Sequence, residues 1–522
     1  MTGNPDTVYR TSFQGKDATM AGIKRPERPS VTDETGVTRT LAGESLAFAG
    51  FGAGDEIIFL GLGPDPAAAV ALAGGRRAAY VECPAFAAAL GEAWAAVVPR
   101  DWRRLDPAEL TAARTAGARF YLYRQNTRLY PSFWGPIWAR IQLDRLPRSG
   151  RVPATPAALL FRSPAGLLEP ELARALAALG RPVTDIPAAS GEAALAALLG
   201  REKPALALSV NAAGLDDEGL AVSLLEAAGV PLAIWFVDNP FHVLGRFRGR
   251  FWQRALLCVT DDSYLAPLAE LGADRVMHLP LAASAHFFEA RPTPGLAERA
   301  VFVGSSSFPG RDRFFAGCQV PDALIAQARD LIATGQRPDF FWWAAKLGVR
   351  PLWPGKSVRL AGCGAETAGV ALRAAVLAAV AGSVPLSVHG DPGWRELLPD
   401  SVALAGPVDY VTALPGLYAG AGVSVNVTSL LLPRGLTQRH FDVWAAGGCL
   451  LSDATPGLTL FPEELVAPIR FETPAAAARL AAELLARPEM RAALTAAWRA
   501  HILAEHRYEQ RLARLLARLA DH

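Results

Sequence analysis

The chain has 522 residues, too many for one compact core and enough for two or three domains. Hydrophobic residues make up 51% and charged residues 20%, which excludes an unfolded polyelectrolyte, and a net charge of +2 lacks the basic excess of a dedicated nucleic-acid binder. Five scattered cysteines with no Cys-x-x-Cys pair argue against a disulfide framework or zinc knuckle and point to a reducing cytoplasm.

No basic start followed by an apolar run opens the chain, so no signal peptide is expected. The most apolar stretch, 368–384 with Arg373 inside it, is short for a membrane span and reads as a buried helix. Residues 1–40 are polar and without periodicity, the pattern of a flexible leader. Residues 41–150 read as a small α/β unit. A buried strand over 56–60 enters the turn Gly61-Leu-Gly63-Pro-Asp-Pro66. A helix over 67–73 follows, then a strand over 78–82 that ends in Glu82. A glycine turn between strand and helix, with an acid ending the next strand, outlines a nucleotide or adenosyl-cofactor site. The third glycine is missing, and Pro64 and Pro66 lack the amides that hold phosphate, so a structural vestige is the favoured reading. Another strand spans 119–124, and the aromatic run 129–138 is expected to pack between domains. Residues 146–156, rich in proline, read as a linker.

Residues 156–285 alternate strand and helix, with strands over 158–161, 205–210, 231–237, 255–259 and 275–279 and helices over 169–179 and 216–228. Such alternation gives a parallel sheet with helices on both faces and ligands beyond the carboxyl ends of its strands. Asn211, Asp238, Asn239 and Asp261 fall at those ends, as ligand contacts or as the caps that Asp and Asn favour at loop starts. Residues 280–294 are irregular and should form a hinge. A second α/β set opens with a strand into Gly304-Ser305-Ser306-Ser307, whose amides and hydroxyls suit a phosphate. Residues 320–383 read as mostly helical, with the aromatics 340–343 in the core. A strand over 384–388 leads to His389, a phosphate donor or an ordinary loop histidine. Strands over 402–408 and 423–426, a helix over 410–418 and helices over 475–486, 488–504 and 509–519 complete the series.

The stretch 432–453 reads as loop, helix, glycine turn and strand. Arg439 and Asp442, three apart, share a helix face. Gly447-Gly448 ends that helix, and 449–452 form a short buried strand. A cation and a carboxylate together at a parallel-sheet edge suit a diphosphate sugar, the cation for phosphate and the carboxylate for ribose hydroxyls; a surface helix pair is the plainer reading. Asn426, Gly435-Leu436, Arg439, Phe441, Asp442, Ala445, Gly447-Gly448, Leu450-Leu451 and Asp453 together resemble the motif of the CgeB-like group of GT-B glycosyltransferases. Phe471-Glu-Thr-Pro, Arg487-Pro-Glu and Ala504-Glu-His-Arg-Tyr508 extend the likeness, which is good over 400–518, weaker over 156–310 and absent before 150.

The resemblance implies an α/β, GT-B-like pair of Rossmann-type domains preceded by a small extra α/β domain. The acceptor-side domain would span 156–285 and the nucleotide-sugar domain 295–522, its final helix crossing back. It implies a hexosyl- or N-acetylhexosaminyl-transferase without a cofactor. The donor would be a nucleoside-diphosphate sugar, a UDP-sugar by preference, and the acceptor a protein or glycan, such as the surface protein flagellin. Asp442 would hold ribose and Arg439 the diphosphate. Gly304, Ser305, Ser306 and His389 would assist, and Asn426, Gly447 and Gly448 belong to the same motif. Asp238 or Asp261 would serve as base if the reaction inverts. No Asp-x-Asp motif stands after a strand, so metal independence is expected. Two alternatives stand beside this: a non-catalytic sugar-nucleotide or carbohydrate-binding protein, or a scaffold, on a decayed transferase fold; and a bifunctional enzyme with an adenosyl-dependent N-terminal unit.

Overall fold

The computed structural model describes residues 29–146, 152–164 and 166–521. Most of the expected leader lies outside those residues, as does the middle of the 146–156 linker. From residue 30 the leader expectation is corrected: strands Ser30–Thr32 and Thr38–Thr40 pair antiparallel. Asp33 closes their turn. Its carboxylate accepts from the amides of Thr35 and Val37 and from Arg39 Nε, so the turn's donors are satisfied locally.

The small N-terminal unit is a five-stranded sheet with Phe48–Phe51, Ala118–Tyr123, Glu56–Leu60, Ala78–Val81 and Arg103–Arg104 side by side. The edge strand Phe48–Phe51 is antiparallel; the rest are parallel. Helix Pro131–Asp144 carries the aromatic run and joins this unit to the next domain. Trp134, Ile137 and Ile141 pack into the core of the small unit, while Ala139 and Leu143 pack into that of its neighbour. Gly135 permits the close approach, because a Cβ there would come within 2.5 Å of Ser223 Oγ on helix Leu220–Ala227.

Two six-stranded sheets follow, all parallel. The first runs Arg275–His278, Leu256–Val259, Leu232–Phe236, Leu206–Val210, Ala158–Arg162, Val183–Pro187 from edge to edge. Its strands Leu232–Phe236 and Leu256–Val259 are continuous apolar runs, buried throughout, as strands covered on both faces must be. Strand Val183–Pro187 escapes sequence reading because it lies at the edge, mostly unburied, with Asp185 and a terminal proline. The second sheet runs Ala403–Ala405, Leu386–His389, Ala300–Val303, Val423–Asn426, Leu450–Asp453, Arg470–Phe471. Counted along the chain this is the order 3-2-1-4-5-6, with its reversal between Ala300–Val303 and Val423–Asn426. The molecule is therefore a pair of Rossmann-type domains preceded by a small α/β unit.

The last helix, Tyr508–Ala520, leaves the second domain and packs on helix Glu169–Ala178 of the first. Tyr508, Leu512 and Leu515 enter the apolar cluster on one face of the first sheet. Its buried Arg511 donates to the hinge carbonyls of Pro280 and Leu281. Helix Val358–Ala381 is long and apolar enough to cross a membrane by length and composition. In the fold it is packed within the second domain and carries a buried ion pair, Glu366–Arg373.

Candidate functional site

A cleft of about 540 Å³ lies between the two Rossmann-type domains. Asp238, Asn239 and His242 line it from the first domain; Gly304, Ser305, Glu366, Arg373, Val427 and Arg439 line it from the second. It sits where the strand order of the second sheet reverses, because the loops after Ala300–Val303 and Val423–Asn426 diverge there and leave a crevice.

Arg439 is the first residue of helix Arg439–Ala445. Its Nε donates to Asn426 Oδ1 at 3.0 Å, and its guanidinium lies 5.3 Å from the centre of the Phe302 ring. Asn426 is buried at its strand end and also accepts from Thr437 Oγ1. Gly304 leaves room for this cation: a Cβ there would lie 3.2 Å from the Phe302 ring and 3.6 Å from Arg439 Nη2. Burial, and then the charge of nearby Arg373, lower the Arg439 pKa. Arg439 thus presents a positive charge whose hydrogen-bond partner among the described residues is a neutral amide.

Across the cleft, Asp238 follows strand Leu232–Phe236. Asn211 Nδ2 donates to Asp238 Oδ2 at 2.8 Å, and Asn211 Oδ1 accepts from the amides of Val237 and Asp238. Asn211 and Ala212 hold φ of 48° and 57°, a left-handed pair that costs about 1–2 kcal/mol per residue. Such strain collects where a site needs a side chain held in place. Asp238 opens onto the cleft but is crowded by protein elsewhere, and that desolvation raises its carboxyl above the usual range. His242, on helix Pro240–Leu244, is kept neutral by burial with its pKa down to about 4.

The loop 427–438 is fastened to the first domain. Leu431 O accepts from Tyr264 Oη and Asn239 Nδ2, Asp261 Oδ2 accepts from the Arg434 amide, and Asp262 pairs with Arg434 Nε. This fixes the role of Asp261. Its oxygens hold Ser263 and Arg434, so it is a cap and a clamp rather than a base in the cleft. Asn239 likewise caps its helix through Phe241 N.

Other expected residues are placed differently from the phosphate-cradle picture. The Gly304 amide donates to His389 O, and its carbonyl accepts from Trp394 Nε1. The Ser306 amide and hydroxyl both go to Asp391, at 2.6 and 2.7 Å, so neither is free for a ligand. Ser305 and Ser307 do line the cleft. The His389 side chain is not among the cleft residues; its backbone carbonyl is what reaches the loop. Asp442 is 1% exposed and accepts from Ser284 N, Tyr410 Oη and Gln438 Nε2. Its carboxyl, raised to about 7 by burial, braces the hinge and does not line the cleft, because one helix turn carries it from the crevice to the domain junction. Gly447, with φ of 81°, turns the chain out of the helix, and Gly448 allows Tyr418 O to lie where a Cβ would be only 2.3 Å away; both serve packing. Glu366 and Arg373 were missed. Two charges seven apart in an apolar helix, hence on one face, were the available signal. Among the described residues no group of three or more His, Cys, Asp or Glu is gathered as for a metal.

The glycine turn of the small unit is filled. Glu82, 2% exposed, accepts from Leu62 N and Cys83 N, and burial raises its carboxyl to about 7. Trp94 Nε1 donates to Gly63 O, and Phe48 and Tyr123 pack beside Gly63.

Residues 371–517 match a family model described as glycosyl transferase-like. That span holds Arg373, Asn426 and Arg439 and begins after the Gly304 loop. No curated protein matches the chain. Among solved structures, a glycosyltransferase from Rickettsia africae is 10% identical with a TM-score of 0.37, covering 70% of this chain and 98% of its own. Anabaena HepE, solved in complex with UDP, is 11% identical with a TM-score of 0.41, covering 71% and 100%. T4 phage BGT, solved with its UDP-glucose substrate, is 10% identical with a TM-score of 0.37, covering 68% and 95%.

Proposed function

We propose that the protein is a glycosyltransferase of the CgeB-like kind. It would move a hexosyl or N-acetylhexosaminyl group from a nucleoside-diphosphate sugar, by preference a UDP-sugar, to a protein or glycan acceptor. The observation that carries this reading is Arg439: a half-buried guanidinium at the reversal of a 3-2-1-4-5-6 sheet, hydrogen-bonded to a neutral amide and facing an open cleft. The glycosyl transferase-like match over 371–517 supports it.

In this reading Arg439 neutralises the diphosphate as the bond to the sugar breaks, with the Ser305 and Ser307 hydroxyls beside it. An oriented cation, fixed before the reaction begins, stabilises that developing charge without a metal ion. Asp238 faces the acceptor. Its raised pKa and its fixed hydrogen bond from Asn211 suit a carboxylate that accepts the hydroxyl proton in an inverting transfer. The five free thiols agree with action in the reducing cytoplasm.

Thermal denaturation against UDP, GDP, TDP, CMP and ADP, with and without magnesium or manganese, tests the reading. One nucleotide at a hundred times its Kd should add about 2.7 kcal/mol of stability without needing the metal, and Arg439→Ala should cut that gain to about 0.4–1.4 kcal/mol at the same concentration. No shift with any nucleotide would remove the donor assignment.

A further inference from the structure

Two charged residues of the cleft have a different character from Arg439. Glu366 and Arg373 project from one face of helix Val358–Ala381, 3% and 8% exposed. Arg373 Nη2 donates to Glu366 Oε1 at 3.2 Å and to Ser306 O at 2.9 Å. Arg373 Nε is buried without a partner, and Glu366 Oε2 has none among the described residues. Burying an ion pair with a donor left unmet costs stability, and such a cost persists where a ligand supplies the missing partner.

The charge balance says which ligand. Arg439 keeps its full charge beside an amide oxygen and suits phosphate. Arg373 is already neutralised by a carboxylate at 3.2 Å, and Glu366 would repel a diphosphate brought to the same place. A neutral polyol has the opposite needs: each hydroxyl can donate one hydrogen bond and accept others. A carboxylate oxygen and a guanidinium N–H side by side answer two hydroxyls on adjacent ring carbons. Both residues line the same cleft as Arg439, close enough that the charge of Arg373 lowers the Arg439 pKa.

We propose that the Glu366–Arg373 pair reads the sugar of the donor, with Glu366 Oε2 accepting from one hydroxyl and Arg373 Nε donating to its neighbour. The substrate class is then a nucleoside-diphosphate hexose with a free vicinal diol, and donors deoxygenated or acylated at that diol are rejected. The inference rests on the sugar-nucleotide reading above.

Titration calorimetry on the full chain tests it, with UDP, GDP and dTDP each compared with UDP-glucose, GDP-mannose and dTDP-glucose. For the nucleotide that binds, the conjugate should bind about tenfold or more tightly than the free diphosphate, as one charge-assisted hydrogen bond provides. Glu366→Ala should remove that increment while changing the free nucleotide's affinity by less than about threefold, a change under 0.7 kcal/mol. Should Glu366→Ala fail to fold, Glu366→Gln keeps a partner for Arg373 and should still lower the increment about fivefold. An increment that survives substitution overturns the proposal. So does an equal loss for nucleotide and conjugate, which would make the pair a diphosphate site, and so do conjugates that bind no better than nucleotides. Failure of every nucleotide to bind the wild type overturns both this and the donor-site reading.

Discussion

Two places in this molecule share one design on paper. In the small N-terminal unit and in the second Rossmann-type domain, a buried strand runs into a glycine-bearing loop beside the point where the strand order reverses. Their contents differ. In the small unit the acid, Glu82, uses its oxygens on the amides of Leu62 and Cys83, and Trp94, Phe48 and Tyr123 occupy the ground above the glycines. In the second domain the loop uses its Gly304 and Ser306 amides internally too, but the space in front stays open and a cation enters it. A glycine turn therefore marks a binding site only where room and unsatisfied hydrogen-bonding groups are left over.

The largest effect should come from Trp94→Ala, which empties the filled loop. Loss of a buried indole costs about 3–5 kcal/mol, read from urea denaturation. The variant should gain no affinity for S-adenosylmethionine or nucleotide; a gain would revive the adenosyl reading. Next, Arg439→Ala should weaken nucleotide binding about 10- to 100-fold in calorimetry, as expected for a charged hydrogen-bond donor worth about 1.5–3 kcal/mol. Retained affinity would move the donor elsewhere. Gly61→Ala should cost about 1–2 kcal/mol, because φ there is 80° and the new Cβ would press on Asn126 Nδ2. Nucleotide binding in that variant should stay at the wild-type level. A pH effect of about 3 kcal/mol completes the set. Glu82 has a folded pKa of about 7 against an ordinary 4.5, so the native state holds the proton more tightly than the unfolded chain. Its contribution is present below pH 4.5 and is lost as pH rises to about 7. The stability of wild type relative to Glu82→Gln should therefore fall between pH 5 and 8, and a flat difference would show that the carboxyl is not held protonated.

Much of the fold was legible because buried parallel strands are short apolar runs, as at Leu232–Phe236 and Val423–Asn426. Arg439 was legible as the first residue of its helix, directly after a loop, and the structure places it at the cleft. Asp442 was misread because periodicity gives the face of a helix and not what lies opposite; Ser284, 158 residues away, supplies its partner. His389 and Ser306 failed similarly, their neighbours being set by packing between strands distant in sequence. Glu366 and Arg373 were hidden by the apolar run around them, which draws attention to burial and away from the two charges it carries.

The final helix has a consequence for synthesis. Part of the apolar face of the first sheet is covered by Tyr508, Leu512 and Leu515, yet the last strand of that sheet ends at His278. The intervening residues take on the order of ten to fifty seconds to translate at about 5–20 residues per second. During that time the first domain has all its strands but lacks the side chains that cover part of one flank, so that apolar surface stays open to water until the final helix is made.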